Sequence, residues 1–171
     1  NGSKLKIVGG GPEEGKLKAL AHEMKLNVEF VGPKHGEELK RIVANARFII
    51  VPSEWYENSP LVIYEAFASG KPVIGTDIGG ITELISPSKD GYLFPAGDAL
   101  ILRRCIEELD RDDNRIRAFG AAGRKKAEAW FAPEQHYEKL MGWYEELLVR
   151  SRAFRRPHPS KSIAPEGATT N

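Results

Sequence analysis

The chain has 171 residues, the size of one ordinary domain that can bury a core. Hydrophobic residues make up 41% and charged residues 29%, which excludes a disordered or collagen-like chain. The formal net charge is only +1, so no overall field favours nucleic acid, and we expect no nucleic-acid partner. The single cysteine, Cys105, excludes an intramolecular disulfide and favours a reducing compartment, which predicts a cytoplasmic protein.

Short β-branched or aromatic runs that end near glycine or proline recur along the first hundred residues. Such runs, alternating with helical periodicities, are typical of an α/β fold with a mostly parallel sheet and helices on both faces. The predicted strands are Leu5–Val8, Val28–Val31, Phe48–Val51, Pro72–Gly75 and Tyr92–Phe94.

Helices are predicted between and after these strands. Apolar residues at i, i+3, i+4 and i+7 indicate one helix over residues 17–24 and another from about Gly36. A third helix has Ser59 as its predicted N-cap, Pro60 at its first position and Gly70 just beyond its end. Three more helices follow, one capped by Asp98, one over residues 113–130 and one that begins at Pro133.

We predict a single domain over residues 1–150 and a basic, proline-containing, flexible tail over residues 151–171. The tail has no apolar period, and residues 157–171 are expected to be mobile. Its arginines leave open a peripheral contact with acidic lipid at the inner face of a membrane. No apolar run approaches the ~20 residues of a membrane-spanning helix. Because Asn1 stands almost directly before a strand, we expect the chain to be a fragment of a longer protein.

The helix from Pro60 to Gly70 is apolar on every side except at Glu65. The pattern predicts a buried helix whose lone carboxylate needs hydrogen-bond donors. The start of the helix offers free backbone N–H groups and the positive end of the dipole to a phosphate. Together these features indicate a nucleotide bound through its diphosphate and ribose, with Glu57 facing the other end of the ligand. The alternative is that Glu65 pairs with a structural lysine or arginine while Glu57 is a solvated loop residue.

Two aromatic residues, Trp55 and Tyr56, stand immediately before Glu57. Their rings could stack on a base or a sugar, but we expect them to pack within the loop.

The region from Pro52 to Leu84 contains the pair Glu57-x7-Glu65 followed by AFASGKPVIGTDIGGITEL. It closely resembles the family 4 (group 1) retaining glycosyltransferases, and the similarity extends from Leu5 to Asp98 through the strand–loop units KIVGGGPE and VEFVG. The resemblance implies the GT-B fold, in which two Rossmann-like domains face each other. This chain resembles the C-terminal domain, which holds most of the nucleotide sugar.

The resemblance also implies roles for individual residues. Glu65 would bind the ribose hydroxyls, and Glu57, the catalytic candidate, would bind the hydroxyls of the donor sugar. Many members of the family have Phe-Gly where this chain has Ser59-Pro60, and Pro60 offers no N–H group. The other implied donor-binding residues are Asn58, Ser59, Leu61, Val62, Gly10, Gly11, Val31, Gly32, Gly79 and Gly80.

The implied function is a metal-independent, retaining hexosyl transfer from a nucleotide-diphosphate sugar. The resemblance implies that neither a metal nor another cofactor takes part, and we expect none. The acceptor, a sugar, a lipid-linked glycan or a small molecule, would bind a separate N-terminal domain. The family also has an earlier strand with Gly-Arg and a following Lys, which would be central in a 3-2-1-4-5-6 sheet. Since this chain contains neither the acceptor-binding domain nor this strand with its basic residues, we expect the chain alone to be inactive.

Three other functions compete with the transferase. A dinucleotide-binding oxidoreductase fails on spacing, because Gly9-x-Gly11 would require a glycine at Glu14. A sugar-nucleotide epimerase of the same fold is disfavoured by the Glu57-x7-Glu65 block. A non-catalytic nucleotide-sugar-binding module remains the alternative.

Overall fold

The computed structural model of the protein describes residues 3–154, with side chains described through residue 150. The chain divides into two compact units, one that ends at Ala132 and one that begins at Pro133. The predicted boundary between residues 150 and 151 stays a prediction. Most of the predicted tail, residues 155–171, lies outside the described residues.

Five short strands form two parallel sheets. They are β1 (Leu5–Val8), β2 (Val28–Gly32), β3 (Ile49–Val51), β4 (Val73–Thr76) and β5 (Gly91–Phe94). In the first sheet β1 pairs with β2, and in the second sheet β4 lies between β3 and β5. The predicted α/β class, the five strands and their parallel direction are confirmed.

The two sheets are separate because β1 and β3 are not paired among the residues that the structure describes. In a sheet of order 3-2-1-4-5-6, the strand that the sequence analysis expects to precede β1 would lie between these two strands. The division therefore falls at the position expected for that strand.

Each predicted helix is present, and the chain has one short helix that the sequence pattern missed. The helices are α1 (Glu14–Glu23), α2 (Gly36–Ala44), α3 (Leu61–Ala68), α4 (Ile81–Leu84), α5 (Ala99–Asp110), α6 (Asp113–Trp130) and α7 (Pro133–Phe154). Four residues are too few to show a helical period, so α4 gave no signal. Asp98 caps α5 as predicted, because its carboxylate accepts from the N–H groups of Leu100 and Ile101 at 3.1 and 2.9 Å.

The second sheet is covered on both faces. Successive side chains of a strand point to opposite faces, and in β4 Val73 and Ile74 are both fully buried. Val73 belongs to a core with Phe67 of α3, whereas Ile74 belongs to a core with Leu109 of α5. Burial on both faces favours consecutive apolar residues, and Val73 and Ile74 are such a pair at the start of β4.

Helices α3 and α6 pack very closely because glycines on α6 face α3. A Cβ atom at Gly123 would lie 2.5 Å from a ring carbon of Phe67, and one at Gly120 would collide with the carbonyl of Gly70. Phe67 is fully buried at this contact. The contact holds α3 in place, and α3 carries part of the predicted donor site.

A buried ion pair joins α6 to the turn before β5. Asp90 is 2% exposed and pairs with the ammonium group of Lys126, which also donates to the carbonyl of Leu84 and the hydroxyl of Ser86, both at 2.8 Å. The N–H of Ser86 donates to the other oxygen of Asp90 at 2.7 Å. Each charge therefore has several partners, as buried charges require.

The second unit, as far as it is described, consists of α7. Most of its large apolar side chains are exposed, among them Trp143 at 60% and Leu147 at 60%. Within residues 3–154, no helix has both the length and the apolarity needed to cross a membrane.

Candidate functional site

The predicted site residues follow the carboxyl ends of the strands, where open α/β sheets bind ligands. One group lies at the first sheet. The N–H of Gly9 donates to the carbonyl of Gly32 at 3.0 Å, which joins the glycine-rich loop after β1 to the end of β2. Gly10 and Gly11 are exposed in this loop, and Val31 is half-buried beside Gly32. The four predicted residues of this group are therefore neighbours.

The second group begins in the loop over residues 52–60, which connects β3 to α3. Glu57 is half-buried there, and its Oε1 accepts a hydrogen bond from Ser53 Oγ at 3.0 Å. Sequence reasoning gave no role to Ser53, although a serine four residues before the catalytic candidate is a natural partner for its carboxylate. The Ser53 contact fixes one carboxylate oxygen and leaves the other available to a ligand.

The loop after β4 supports the backbone of Glu57. The N–H of Gly80 donates to the carbonyl of Glu57 at 2.7 Å. A Cβ atom at Gly79, where φ is +54°, would lie 2.7 Å from that same carbonyl, and a Cβ at Gly80 would collide with the carbonyl of Asn58. The two loops can be this close only because both positions are glycine.

Helix α3 begins one residue later than predicted. Its N-cap is Pro60 rather than Ser59, since Pro60 has an extended backbone and Leu61 is the first helical residue. The Ser59 hydroxyl forms a hydrogen bond with the hydroxyl of Tyr64 at 2.7 Å and caps nothing. The N–H of Ile63 donates to the carbonyl of Pro60 at 3.1 Å.

The first two N–H groups of α3 are consequently available. Among the described residues, the N–H groups of Leu61 and Val62 donate to no protein acceptor. They are the usual unpaired donors of a helix start and lie at the positive end of its dipole.

Glu65 is exposed, so the expectation of a buried carboxylate is wrong. Helix α3 buries Ile63, Ala66 and Phe67 and exposes a second stripe one turn apart, formed by Leu61, Glu65 and Ala68. The absence of charges in the sequence indicated burial on every side, whereas the described residues cover only one side.

No ion pair of Glu65 is present among the described residues. Lys40 of α2, on which the charge of Glu65 acts, is paired with Glu37 at 2.6 Å. That hydrogen bond and the charge of Glu37 raise the pKa of Lys40, and the charge of Glu65 adds a smaller contribution. The alternative of a structural ion pair at Glu65 therefore has no support in residues 3–150.

Trp55 and Tyr56 do not pack within their loop, contrary to expectation. They are 82% and 86% exposed, while Glu57 beside them is half-buried. Two large aromatic side chains therefore extend into solvent next to the carboxylate.

The second group thus combines carboxylates, free backbone N–H groups and aromatic rings. Carboxylates accept hydrogen bonds from hydroxyl groups, and the start of a helix binds anions. Among the described residues, no three His, Cys, Asp or Glu side chains come together in a way that could hold a metal ion.

Comparison with known proteins identifies the chain's relatives. The family model described as "Glycosyl transferases group 1" matches residues 1–126. An exopolysaccharide phosphotransferase of Streptomyces coelicolor is 36% identical, covering 91% of this chain and 16% of that protein. A GDP-mannose-dependent phosphatidylinositol monomannoside mannosyltransferase of Corynebacterium glutamicum is 33% identical, covering 81% of this chain and 38% of that protein.

A solved structure with the same architecture is the sucrose-phosphate synthase of Thermosynechococcus elongatus. It superposes with a TM-score of 0.74 at 31% identity, covering 86% of this chain and 39% of that one. The chain therefore spans less than two fifths of the length of each of these three proteins.

Proposed function

The chain belongs to the group 1 glycosyltransferases, with the fold of their C-terminal GT-B domain, and from this membership we propose that it binds the nucleotide-diphosphate sugar in a retaining, metal-independent transferase. The observation that carries the proposal is Glu65, an exposed carboxylate that has no ion pair within residues 3–150. It lies on the stripe that begins at the free N–H groups of α3. Such a carboxylate, one turn from an anion-binding helix start, suits a phosphorylated ligand that also has hydroxyl groups.

In this proposal, the ligand is oriented by groups of different charge. The N–H groups of Leu61 and Val62 bind the diphosphate, which complements the positive end of the α3 dipole. Glu65 accepts from the ribose hydroxyls, and a neutral sugar reaches Glu57. The other implied contacts are those of the base with Val31 and Gly32 and of the donor with Gly10, Gly11, Asn58, Ser59, Gly79 and Gly80.

The catalytic part of the proposal concerns Glu57. Its position is fixed by Ser53 and Gly80, so it can hold the sugar of the donor in one orientation while the leaving diphosphate assists the acceptor. Most of the acceptor site and the further diphosphate-binding cations would be supplied by segments outside this chain. We therefore expect no sugar transfer by residues 1–171 alone, and we propose a cytoplasmic location.

The first experiment is calorimetric titration of the 171-residue chain with UDP, GDP and ADP in the presence of a chelator. Glu65→Gln keeps the size of the side chain but removes charge-assisted hydrogen bonds worth about 1.5–3 kcal/mol. The affinity for the preferred nucleoside diphosphate should fall roughly 10- to 150-fold. Glu57→Gln should leave that affinity unchanged and reduce only the additional affinity that the sugar contributes.

The matched control is Glu83→Gln, which removes an exposed carboxylate from α4. It separates the specific effect at Glu65 from the general effect of one fewer negative charge on an anionic ligand. Normal nucleotide binding by Glu65→Gln would refute the assignment. Equal losses of nucleotide affinity in Glu65→Gln and Glu83→Gln would refute it as well. Sugar transfer by the full-length protein would distinguish the transferase from a non-catalytic nucleotide-sugar-binding module.

A further inference from the structure

The loop over residues 52–60 presents two aromatic side chains that the proposed donor site does not use. Trp55 and Tyr56 are the two most exposed of the large hydrophobic side chains in the described part of the chain, at 82% and 86%. Because neither ring packs inside the protein, the large apolar area of both rings is available to a ligand.

The backbone that presents these rings is firmly held. Glu57, the next residue, is bonded through its carboxylate to Ser53 and through its carbonyl to Gly80. A Cβ atom at Gly79 would lie 3.3 Å from the Cα of Tyr56, so the loop rests directly on the turn after β4. The aromatic pair is therefore presented by a supported backbone, which lowers the entropy lost when a ligand orders it.

The surrounding charges select the kind of ligand. Glu54 and Glu57 flank the pair in sequence, and Asp77 is exposed in the turn after β4, on which the loop rests. A negative neighbourhood disfavours phosphate and acidic lipid, whereas carboxylates readily accept hydrogen bonds from neutral hydroxyl groups. A ligand that is neutral, hydroxylated and has an apolar C–H face suits both the carboxylates and the rings.

We propose that Trp55 and Tyr56 form a platform for a sugar ring of the acceptor, an assignment that rests on the proposed function of the domain. We assign the sugar ring to the acceptor and not to the donor because Trp55 and Tyr56 are more exposed than Glu57. Glu57 is half-buried at the sheet edge, where the donor sugar is placed, while the two rings extend further into solvent. The next group outward from the donor sugar is the one that receives it. The C–H face of a pyranose then lies on the electron-rich face of an aromatic ring.

The test is an NMR titration of the 15N-labelled 171-residue chain with methyl α-D-glucopyranoside and methyl α-D-mannopyranoside. We expect the indole N–H signal of Trp55 and the amide signals of residues 53–57 to shift on binding. Each ring removed by Trp55→Ala or Tyr56→Ala should weaken glycoside binding roughly 2- to 12-fold. Trp55→Phe should retain most of the affinity because it keeps an aromatic face.

The matched control is Trp143→Ala, which removes another exposed tryptophan, in α7, and should leave glycoside binding unchanged. The same variants are titrated with UDP, GDP, UDP-glucose and GDP-mannose. We expect no change in these affinities. A loss confined to the sugar nucleotides would show that the rings hold the donor's sugar and would overturn the acceptor assignment.

The two proposals fail in different ways. If no glycoside perturbs the Trp55 signal, the platform is refuted even when nucleotides bind normally, as it would be if another protein surface covers the rings. If glycosides bind and no nucleoside diphosphate does, the donor-binding function is refuted and the rings are a sugar site of another kind. Unchanged glycoside binding by the Trp55→Ala, Tyr56→Ala double variant would also refute the platform.

Discussion

In the second sheet, Val73 and Ile74 of β4 are fully buried on opposite faces, whereas in the first sheet Leu5 of β1 is 45% exposed and α1 buries no residue at all. Both sheets have parallel strands of similar length and a similar pattern of apolar residues. The difference lies in what covers them, since α3, α5 and α6 pack on the second sheet. An apolar period in the sequence shows which face a helix would bury, and only the surrounding elements decide whether it is buried.

The largest expected effect comes from the core of the second sheet. Phe67→Ala removes a fully buried ring that packs against Gly123, and it should lower the free energy of unfolding by about 3–5 kcal/mol. Leu20→Ala on α1, where the leucine is 49% exposed, should cost less than about 1 kcal/mol because alanine favours the helix. Denaturant unfolding followed by circular dichroism measures both. Similar losses would contradict the contrast between the two sheets.

A smaller loss is expected at the buried ion pair between Asp90 and Lys126. Asp90→Asn leaves the ammonium group of Lys126 largely buried without its counter-charge, and it should destabilise the protein by about 3 kcal/mol. The double variant Asp90→Asn, Lys126→Met removes both charges and should recover much of that loss. A double variant as unstable as Asp90→Asn would mean that the hydrogen bonds to Leu84 and Ser86 matter more than the charge pair. The measurement is the same unfolding titration.

The smallest effect concerns the first sheet, whose ion pairs are exposed. Glu29 of β2 lies 2.7 Å from the ammonium of Lys4 and 3.8 Å from that of Lys6. The hydrogen bond to Lys4, and then the charges of both lysines, lower the pKa of Glu29 below its ordinary value of 4.5. The folded state therefore holds the proton less tightly than the unfolded chain does. The stabilisation is present above the unfolded pKa and is lost as the pH falls through the folded one.

NMR titration of the Glu29 carboxyl group would measure this shift directly. The midpoint should lie below 4.5 and should move back up in Lys4→Met, with a smaller change in Lys6→Met. Added salt should reduce the shift, because exposed charges are screened. A midpoint that is insensitive to both substitutions would contradict the assigned cause.

The sequence predicts the positions of the helices and strands better than it predicts which of their side chains are buried or bonded. The strands were recognisable because β-branched runs end at glycine or proline, and the α5 start because Asp98 is a strong cap. The start of α3 was misplaced by one residue, since Ser59 suits an N-cap but bonds to Tyr64 instead. The missed helix α4 has only four residues.

The candidate site shows the same limit. The motif predicts that Glu57, Glu65 and the Gly79–Gly80 turn belong to one site. The structure brings Glu57 and Gly80 into direct contact. Spacing could not predict that Glu65 is exposed or that Trp55 extends into solvent, because exposure depends on residues distant in sequence. Ser53 is close to Glu57 in sequence, but it lies in an irregular loop, where no periodicity predicts which neighbouring side chains meet.

The side of β3 away from β4 pairs with no strand among the described residues, and this affects how the 171-residue chain behaves in concentrated solution. An unpaired strand edge can recruit a strand from another molecule and begin aggregation. Among the described strands this edge is the shortest, the three residues Ile49–Val51, and Pro52 follows directly with no N–H group to donate. An incoming strand would find little backbone to pair with, so growth of a sheet from molecule to molecule has a poor starting point here.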